Sequence, residues 1–327
     1  MKNIKKDRLD KMFERQLKHD KKWIDFITLE CSENYRKQVF KNRILDLIDQ
    51  SIKLLNTFHW KEHNKEAKFN IDFINSKEQI IDIQKYLLGL ANMIGMTPQE
   101  YYQEFVNKSM VLDFRWKQDK IKLDGDVAVF DIDGVLADYN TTYETFLNDN
   151  GYVSKELTRN NYSYHIKYGI TKEQEEKMNM RFIVEDGFMK ILPFDGAQEL
   201  LKLLKKKFKL KILLVTARPA WKFQNVIRDT YLWLNKYKLP YDKLVFNKDK
   251  ADAVVGALNG SAKLKFAVED RDKHAIEFYS LGTDVFLMDK EYNRNFNERK
   301  FSKGENQIHR IGDLYKLIKR FEDVGEI

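Results

Sequence analysis

The segment Val127–Asp138, Val-Ala-Val-Phe-Asp-Ile-Asp-Gly-Val-Leu-Ala-Asp, constrains this chain more than any other. An apolar run suited to a buried strand brings two carboxylates, Asp131 and Asp133, to its end, and Gly134 then breaks the strand. Side chains alternate faces along a strand, so residues two apart point the same way until the chain turns. In doubly wound sheets the C-terminal ends of buried parallel strands open into the crevice that holds the chemistry. The pair therefore predicts an Asp nucleophile and an Asp acid/base in one crevice. Asp-Gly alone would serve equally as a polar turn after a core strand, but three later segments argue for more.

A chain of 327 residues is long enough for about two domains. Its hydrophobic content of 43% suffices for real cores, and four prolines leave little scope for long linkers. A net charge of +8 favours anionic partners such as nucleotides or nucleic acid, although the Lys and Arg residues are spread along the chain. The lone cysteine, Cys31, excludes an intramolecular disulfide and a cysteine-rich zinc site, and fits a reducing compartment. The first residues, Met1–Arg8, lack the apolar core of a signal peptide. The longest apolar stretch, around Tyr86–Met96, falls short of the roughly 20 residues that span a bilayer. The expectation is a cytoplasmic protein with no membrane association.

Residues 1–124 read as an all-α domain. Apolar residues recur at three- and four-residue spacing in Val39–Leu55 and Ile80–Ile94, with Asn75-Ser76 as a cap for the second helix. Thr97-Pro98 opens the next one, since Thr caps well and Pro suits a first turn. From 125 to 327 strands and helices alternate, which predicts an α/β domain with a parallel sheet and right-handed crossovers. The strands are Val127–Ile132, Leu210–Val215, Lys243–Phe246, Lys265–Glu269 and Thr283–Met288, with helices such as Gly196–Lys206 and Gln224–Lys236 between them. An insertion at about 139–192 carries Tyr143, Phe146, Tyr152, Tyr162, Tyr164, Tyr168, Phe182 and Phe188, and reads as a helical lid.

The three later segments each end a strand. Leu213–Pro219 closes on Thr216-Ala217-Arg218: the Thr216 hydroxyl and N–H suit a phosphoryl oxygen, and the Arg218 fork suits phosphate or a carboxylate. After Lys243–Phe246, Lys250 (or Lys248 in its stead) would balance the charge of a carboxylate plus a phosphate. Phe266–Arg271 ends in Glu269 and Asp270. Mg²⁺ takes an octahedron of oxygens, usually from one or two carboxylates, phosphate and water. Asp131, the Asp133 carbonyl and Asp270, with Glu269 beside them, would supply part of such a shell.

This order of Asp, Thr, Lys and acidic pair resembles the haloacid dehalogenase (HAD) superfamily of phosphatases. The resemblance implies a Rossmann-like parallel sheet with a helical cap, and a defined chemistry. Asp131 attacks phosphorus to give an aspartyl-phosphate, Asp133 protonates the leaving oxygen and then activates water, and Mg²⁺ orients Asp131. Gly187–Ala197, Asp131–Asp138, Trp233 and Lys248-Asp249-Lys250 are more specifically similar to the 5′(3′)-deoxyribonucleotidases, over roughly Val127 to Met288. That implies deoxynucleoside monophosphate substrates and a lid aromatic, by match Phe188, stacked on the base with Ala217 and Arg218 in the substrate turn; read from the residues alone, Phe188 is as well lid core. Thr216-Ala217-Arg218 and Glu269-Asp270-Arg271 depart from that family and look like the 3′-phosphatase of polynucleotide kinase-phosphatases, so a nucleic-acid 3′ end stays open as substrate. No phosphate-binding Gly-x-x-x-x-Gly-Lys-Ser/Thr loop occurs, which excludes a fused kinase and favours the mononucleotide.

The helical half resembles the dimeric all-α dUTPases in Asn56–Lys61, in Gln79–Leu88, and in Lys108 with Arg115. The resemblance implies a homodimer, and Mg²⁺ ligands at two i, i+3 pairs that share a helix face. Those positions hold Gln50, Lys53, Gln79 and Asp82, so three of the four ligands are missing. Asp46, Asp49 and Glu78 could rebuild a site for an active dUTP pyrophosphatase; otherwise the domain serves packing or dimerisation. His59 and His63 have the spacing of a helical zinc pair, but Glu62 is misplaced for a His-Glu-x-x-His motif, so they read as surface or core residues, as His274 reads as plain helix.

Overall fold

In the computed structural model, which describes residues 7–29, 32–58, 71–154, 163–302 and 306–324 (the side chains of 21–29 excepted), four long helices come first. They are α1 (Arg8–Leu29), α2 (Glu33–Leu55), α3 (Phe73–Met93) and α4 (Pro98–Lys120). Cys31, His59, Trp60, Lys61, Glu62, His63 and Tyr162 lie outside the described residues. Contacts divide the chain into two units, 1–106 and 107–327, with the division inside α4. It falls there, rather than at 124/125, because Val111 and Phe114 of α4 belong to the core of the second unit.

In the first unit the polar links are as specific as the apolar ones. The buried Asp20 of α1 accepts from Gln16 at 2.6 Å and from Arg43 of α2 at 3.1 Å. Gly89 lets α3 approach that carboxylate, because a Cβ there would lie 2.8 Å from Asp20 Oδ2. Thr97 and Glu100 exchange the reciprocal bonds of a capping box at the start of α4. The cap of α3 is Asp72, not Asn75-Ser76. Asp72 Oδ1 accepts from the Asn75 N–H at 3.1 Å, which places Asn75 and Ser76 inside the first turn. Among the described residues its apolar core is small: Phe13, Leu88 and Ala91, with Leu9, Met96 and Tyr101 beside them. Along α2, Ile44, Leu45, Ile48, Ile52 and Leu55 all stay exposed.

In the second unit β1 (Asp126–Phe130) is followed by the cap helices α5 (Tyr139–Asp149), α6 (Tyr164–Tyr168), α7 (Lys172–Val184) and α8 (Gly187–Lys190). Next come α9 (Ala197–Lys206), β2 (Lys211–Thr216), α10 (Asn225–Lys236), β3 (Lys243–Phe246), α11 (Lys250–Ala257) and β4 (Lys263–Glu269). The chain closes with α12 (Asp272–Tyr279), β5 (Asp284–Met288), β6 (Ile308–Ile311) and α13 (Leu314–Val324). All strand pairs are parallel, in the order β3-β2-β1-β4-β5-β6, so β1 is flanked by β2 and β4. Alternation divides the apolar side chains cleanly. Ala128, Phe130, Ile212 and Leu214 face a core built with α9, α10 and α13, while Val127, Val129, Leu213 and Val215 face one built with α11 and α12. The expected strands are all present with ends shifted by up to two residues. The sixth, β6, escaped the sequence pattern because His309 and Arg310 fill its middle.

Most of the insertion's described aromatics pack on one another as part of the core on the α9 and α10 face of the sheet. Tyr143 is fully buried and meets Phe182 edge-on with centroids 5.2 Å apart. The cap's exit is tied to α10, where the Trp233 indole N–H donates to the Ile191 carbonyl at 2.7 Å. Arg228 bridges Asp186 at 2.5 Å and Asp229 at 2.7 Å. Asp229 is wholly buried and one of its oxygens has no partner. Burial pushes its carboxyl up to about 6, against the pull of Arg228.

A carboxyl raised in the fold adds stability that is complete below its unfolded pKa, near 4, and lost as pH rises through the folded value. Asp229→Asn cannot ionise, so the variant should lose less stability than the parent between about pH 4 and about pH 6. At neutral pH the variant should be the more stable by roughly 1–3 kcal/mol. Urea melts at about pH 4 and about pH 7 check this; an unchanged pH slope would contradict it.

Candidate active site

The site lies where three neighbouring parallel strands end. Asp131 follows β1, Thr216 closes β2, and Glu269 closes β4 with Asp270 just after it, so adjacency in the sheet brings together residues far apart in sequence. Lys250, at the start of α11, reaches the same point. Its ammonium lies 2.7 Å from Asp131 Oδ2 and 2.8 Å from Glu269 Oε2, with only 1% of the side chain exposed. The alternative cation, Lys248, instead lies over the Trp221 ring. The second Asp131 oxygen accepts the Ile132 N–H at 2.7 Å.

Asp133 is held by Arg218 through two bonds, Nε to Oδ2 at 2.9 Å and Nη2 to Oδ1 at 2.7 Å. Arg218 is itself fixed by a 3.0 Å bond to Thr230 and by the rings of Phe188 and Trp233, 4.5 and 5.5 Å from its guanidinium carbon. Thr216 Oγ1 accepts the Arg218 N–H at 3.2 Å, which tightens the turn containing Ala217.

The electrostatics call for a cation. Burial raises the carboxyls of Asp131, Glu269 and Asp270 above the ordinary carboxylate range, with Lys250 opposing each shift. Burial alone would lower Lys250, yet Asp131 and Glu269 outweigh it and hold the ammonium charged. Three buried carboxyls face one buried ammonium, with Lys290 acting on Asp270 from outside, so negative charge is in excess. Asp131, Glu269 and Asp270 can bring one oxygen each within 4.8 Å of one another, and Asp270 Oδ1 is buried with no partner. All-oxygen donors with that charge deficit fit a hard divalent cation. Asp133, also expected among the ligands, could add only its backbone carbonyl, because its carboxylate is committed to Arg218.

Above these groups is a cavity of about 270 Å³ between sheet and cap. Asp131, Asp133, Thr216, Ala217, Arg218, Lys250 and Asp270 line it, so all but one of the site residues expected from sequence converge; Glu269 stands behind Lys250. Phe188 lines it too, but is only 4% exposed and carries the Arg218 guanidinium on its ring, so a base stacked there would have to share that ring.

Over residues 126–318, more than half of the chain, the sequence matches the family described as "5' nucleotidase, deoxy (Pyrimidine), cytosolic type C protein". The chain belongs to this family. It is a phosphatase of the HAD type within a family of nucleotidases. Among solved structures it is similar to a HAD-superfamily hydrolase from Ehrlichia chaffeensis, 16% identical, covering 62% of this chain and 99% of that one at a TM-score of 0.36. A putative beta-phosphoglucomutase from Thermotoga maritima, 16% identical, covers 61% of this chain and 99% of that one at a TM-score of 0.42. No curated protein matches. The family match alone carries the assignment.

For a nucleotidase, the cap side of the cavity matters most, and there sequence reasoning missed residues. Asn179, Phe182 and Ile183 of α7 line it together, at the i, i+3, i+4 spacing that puts them on one helix face. Asn140 of α5 joins them, its Oδ1 fixed by the Tyr164 hydroxyl at 2.8 Å. An amide set in an apolar helix face was the available signal. His274, expected to be a plain helix residue, also lines the cavity; burial lowers its pKa, and Glu277 accepts from its Nδ1 at 2.8 Å. In the helical unit Asp49 pairs with Lys53 at 2.8 Å and Asp82 with Lys85 at 3.6 Å. Among the described residues, no acidic group there converges into a cation site.

No helix among the described residues is long and apolar enough to cross a membrane.

Gly134 is required twice over. Its φ of +82° suits glycine, and a Cβ would strike the Asp270 carboxyl. Gly134→Ala should therefore lose roughly 1–3 kcal/mol of stability together with nearly all turnover. Chemical denaturation and a phosphatase assay read the two effects, and a variant with parental stability would contradict this account of the turn.

Proposed function

We propose that this protein is a Mg²⁺-dependent phosphomonoesterase that hydrolyses deoxynucleoside 5′-monophosphates through an aspartyl-phosphate on Asp131. The observation that carries the reading is Asp131 held by Lys250 beneath a cavity whose far wall is made of cap aromatics and amides. An Asp131 oxygen attacks phosphorus in line, the P–O ester bond breaks, and Asp133, which enters turnover protonated and released from Arg218, gives its proton to the leaving oxygen. Asp133 then takes a proton from the water that attacks the phosphoryl group, which frees Asp131 and releases phosphate. Thr216 and Lys250 hold phosphoryl oxygens and balance their charge. A Mg²⁺ ion held by Asp131 and Asp270, with the Asp133 carbonyl, would neutralise further phosphoryl charge. The word "Pyrimidine" in the family description and the modest cavity support a one-ring base.

The same cavity argues against a nucleic-acid 3′ end, which needs an open groove rather than a wall formed by Tyr139, Asn179 and Phe182. The helical unit, by this reading, serves assembly as a homodimer. Support comes from the exposed apolar stripe of α2 and the small core beside it. The lone cysteine and the family's cytosolic designation support a cytoplasmic location.

Asp131→Asn keeps the shape and removes the nucleophile, so turnover of every phosphomonoester should fall by several orders of magnitude while the fold survives. Excess EDTA should abolish the parent's activity. Undiminished hydrolysis in either case sinks the reading. Faster turnover of a 3′-phosphorylated oligonucleotide than of any deoxynucleoside monophosphate would favour the end-repair alternative.

Two cap variants separate base recognition from chemistry. Asn179→Ala should lower kcat/KM for nucleotides by roughly 2- to 13-fold, the worth of a hydrogen bond, and leave deoxyribose 5-phosphate unchanged. Phe188→Ala loosens Arg218, and with it Asp133, so it should slow nucleotides and p-nitrophenyl phosphate alike, by roughly 2- to 30-fold. Loss on nucleotides alone would return Phe188 to the base-stacking role that the family resemblance implies.

A further inference from the structure

The acidic centre has a support that lies outside all four strand-end segments. After β5 the chain makes a 3₁₀ turn over Glu291–Asn293. Its Tyr292 hydroxyl donates to Asp270 Oδ2, and the Asn293 amide donates at 2.7 Å to both the Asp270 and the Met288 carbonyls. Asn293, itself buried, is anchored in turn. Its Oδ1 accepts from Arg310 of β6 at 2.7 Å, and the same guanidinium bonds the Asn293 and Phe296 carbonyls and Glu298. Asp270 is thus gripped at its backbone by Asn293 and at one carboxylate oxygen by Tyr292. On a third side stands Gly134, where no Cβ intervenes. The remaining oxygen, Oδ1, is buried and has no partner.

We infer that Tyr292 is a positioning residue that holds Asp270 with Oδ1 presented to the divalent cation, and that Arg310 and Asn293 form the strut behind it. The inference rests on the metal-dependent reading above. A carboxylate free to turn offers either oxygen, or both, to a cation and loses entropy on binding. One whose Oδ2 accepts a phenol hydrogen is already set. Hydrogen bonds of this outer kind typically change metal affinity 10- to 100-fold. This also accounts for Arg310 in the middle of an apolar-edged strand: β6 contributes the base of the strut as well as a sixth strand.

Titration of Mg²⁺ into the metal-stripped full-length protein, followed by calorimetry without substrate, tests this. Tyr292→Phe keeps the ring and removes only the hydroxyl. Its Mg²⁺ dissociation constant should rise roughly 10- to 100-fold while its melting temperature in EDTA stays at the parental value. Tyr292→His, which retains a ring donor, should recover part of the affinity. Equal affinity in parent and Tyr292→Phe overturns the inference. Equal losses in the Phe and His variants, with lowered melting in EDTA, overturn it too, because they assign Tyr292 to packing. A parent that binds no Mg²⁺ at all removes the metal-dependent reading itself, an outcome distinct from the other two.

Discussion

One buried ammonium holds the centre of this molecule together. Lys250 lies within hydrogen-bonding distance of both Asp131 and Glu269, and none of the three is appreciably exposed. Taking such charges out of water is costly, and removing one partner of a buried pair leaves the other uncompensated. The arrangement persists because the sheet brings the ends of β1 and β4 side by side and α11 begins beneath them. A second ion pair, Asp133 with Arg218, is balanced within itself. The first is not balanced: its buried carboxyls outnumber the ammonium, and an all-oxygen cluster with excess negative charge fits a divalent cation.

The same constraint explains which parts were legible in the sequence. Asp131, Asp133 and Gly134 are contiguous, so strand, turn and reacting pair could be read from twelve residues. Thr216, Lys250 and Asp270 were legible because each follows an apolar run, and the ends of parallel strands in such a sheet share one crevice. Lys248 and Lys250 could not be separated by pattern; the geometry separates them, since α11 begins at Lys250 and carries it inward. Tyr292 and Asn293 were invisible because a 3₁₀ turn has no periodicity and their partner is 22 or 23 residues away. The cap's aromatics were conspicuous, yet most of them pack on one another.

The two units differ in how they achieve order. The phosphatase unit buries two apolar layers, one on each face of its sheet. The helical unit combines a small apolar core with a buried Asp20–Arg43 pair and leaves much of α2 and α3 apolar and exposed. The four metal-ligand positions that a resemblance to the all-α dUTPases would imply carry Gln50, Lys53, Gln79 and Asp82. Asp82, the one acid among them, pairs with Lys85, and the neighbouring Asp49 pairs with Lys53.

Borohydride trapping tests the central claim, a covalent phosphoryl group on Asp131, most directly. Reduction of an acyl phosphate converts the aspartate to homoserine, and peptide mass mapping locates it. The account predicts homoserine at position 131, formed only when the protein is quenched during turnover of a phosphomonoester. Active turnover with no reduced residue at 131, or with the label on any other side chain, would contradict it.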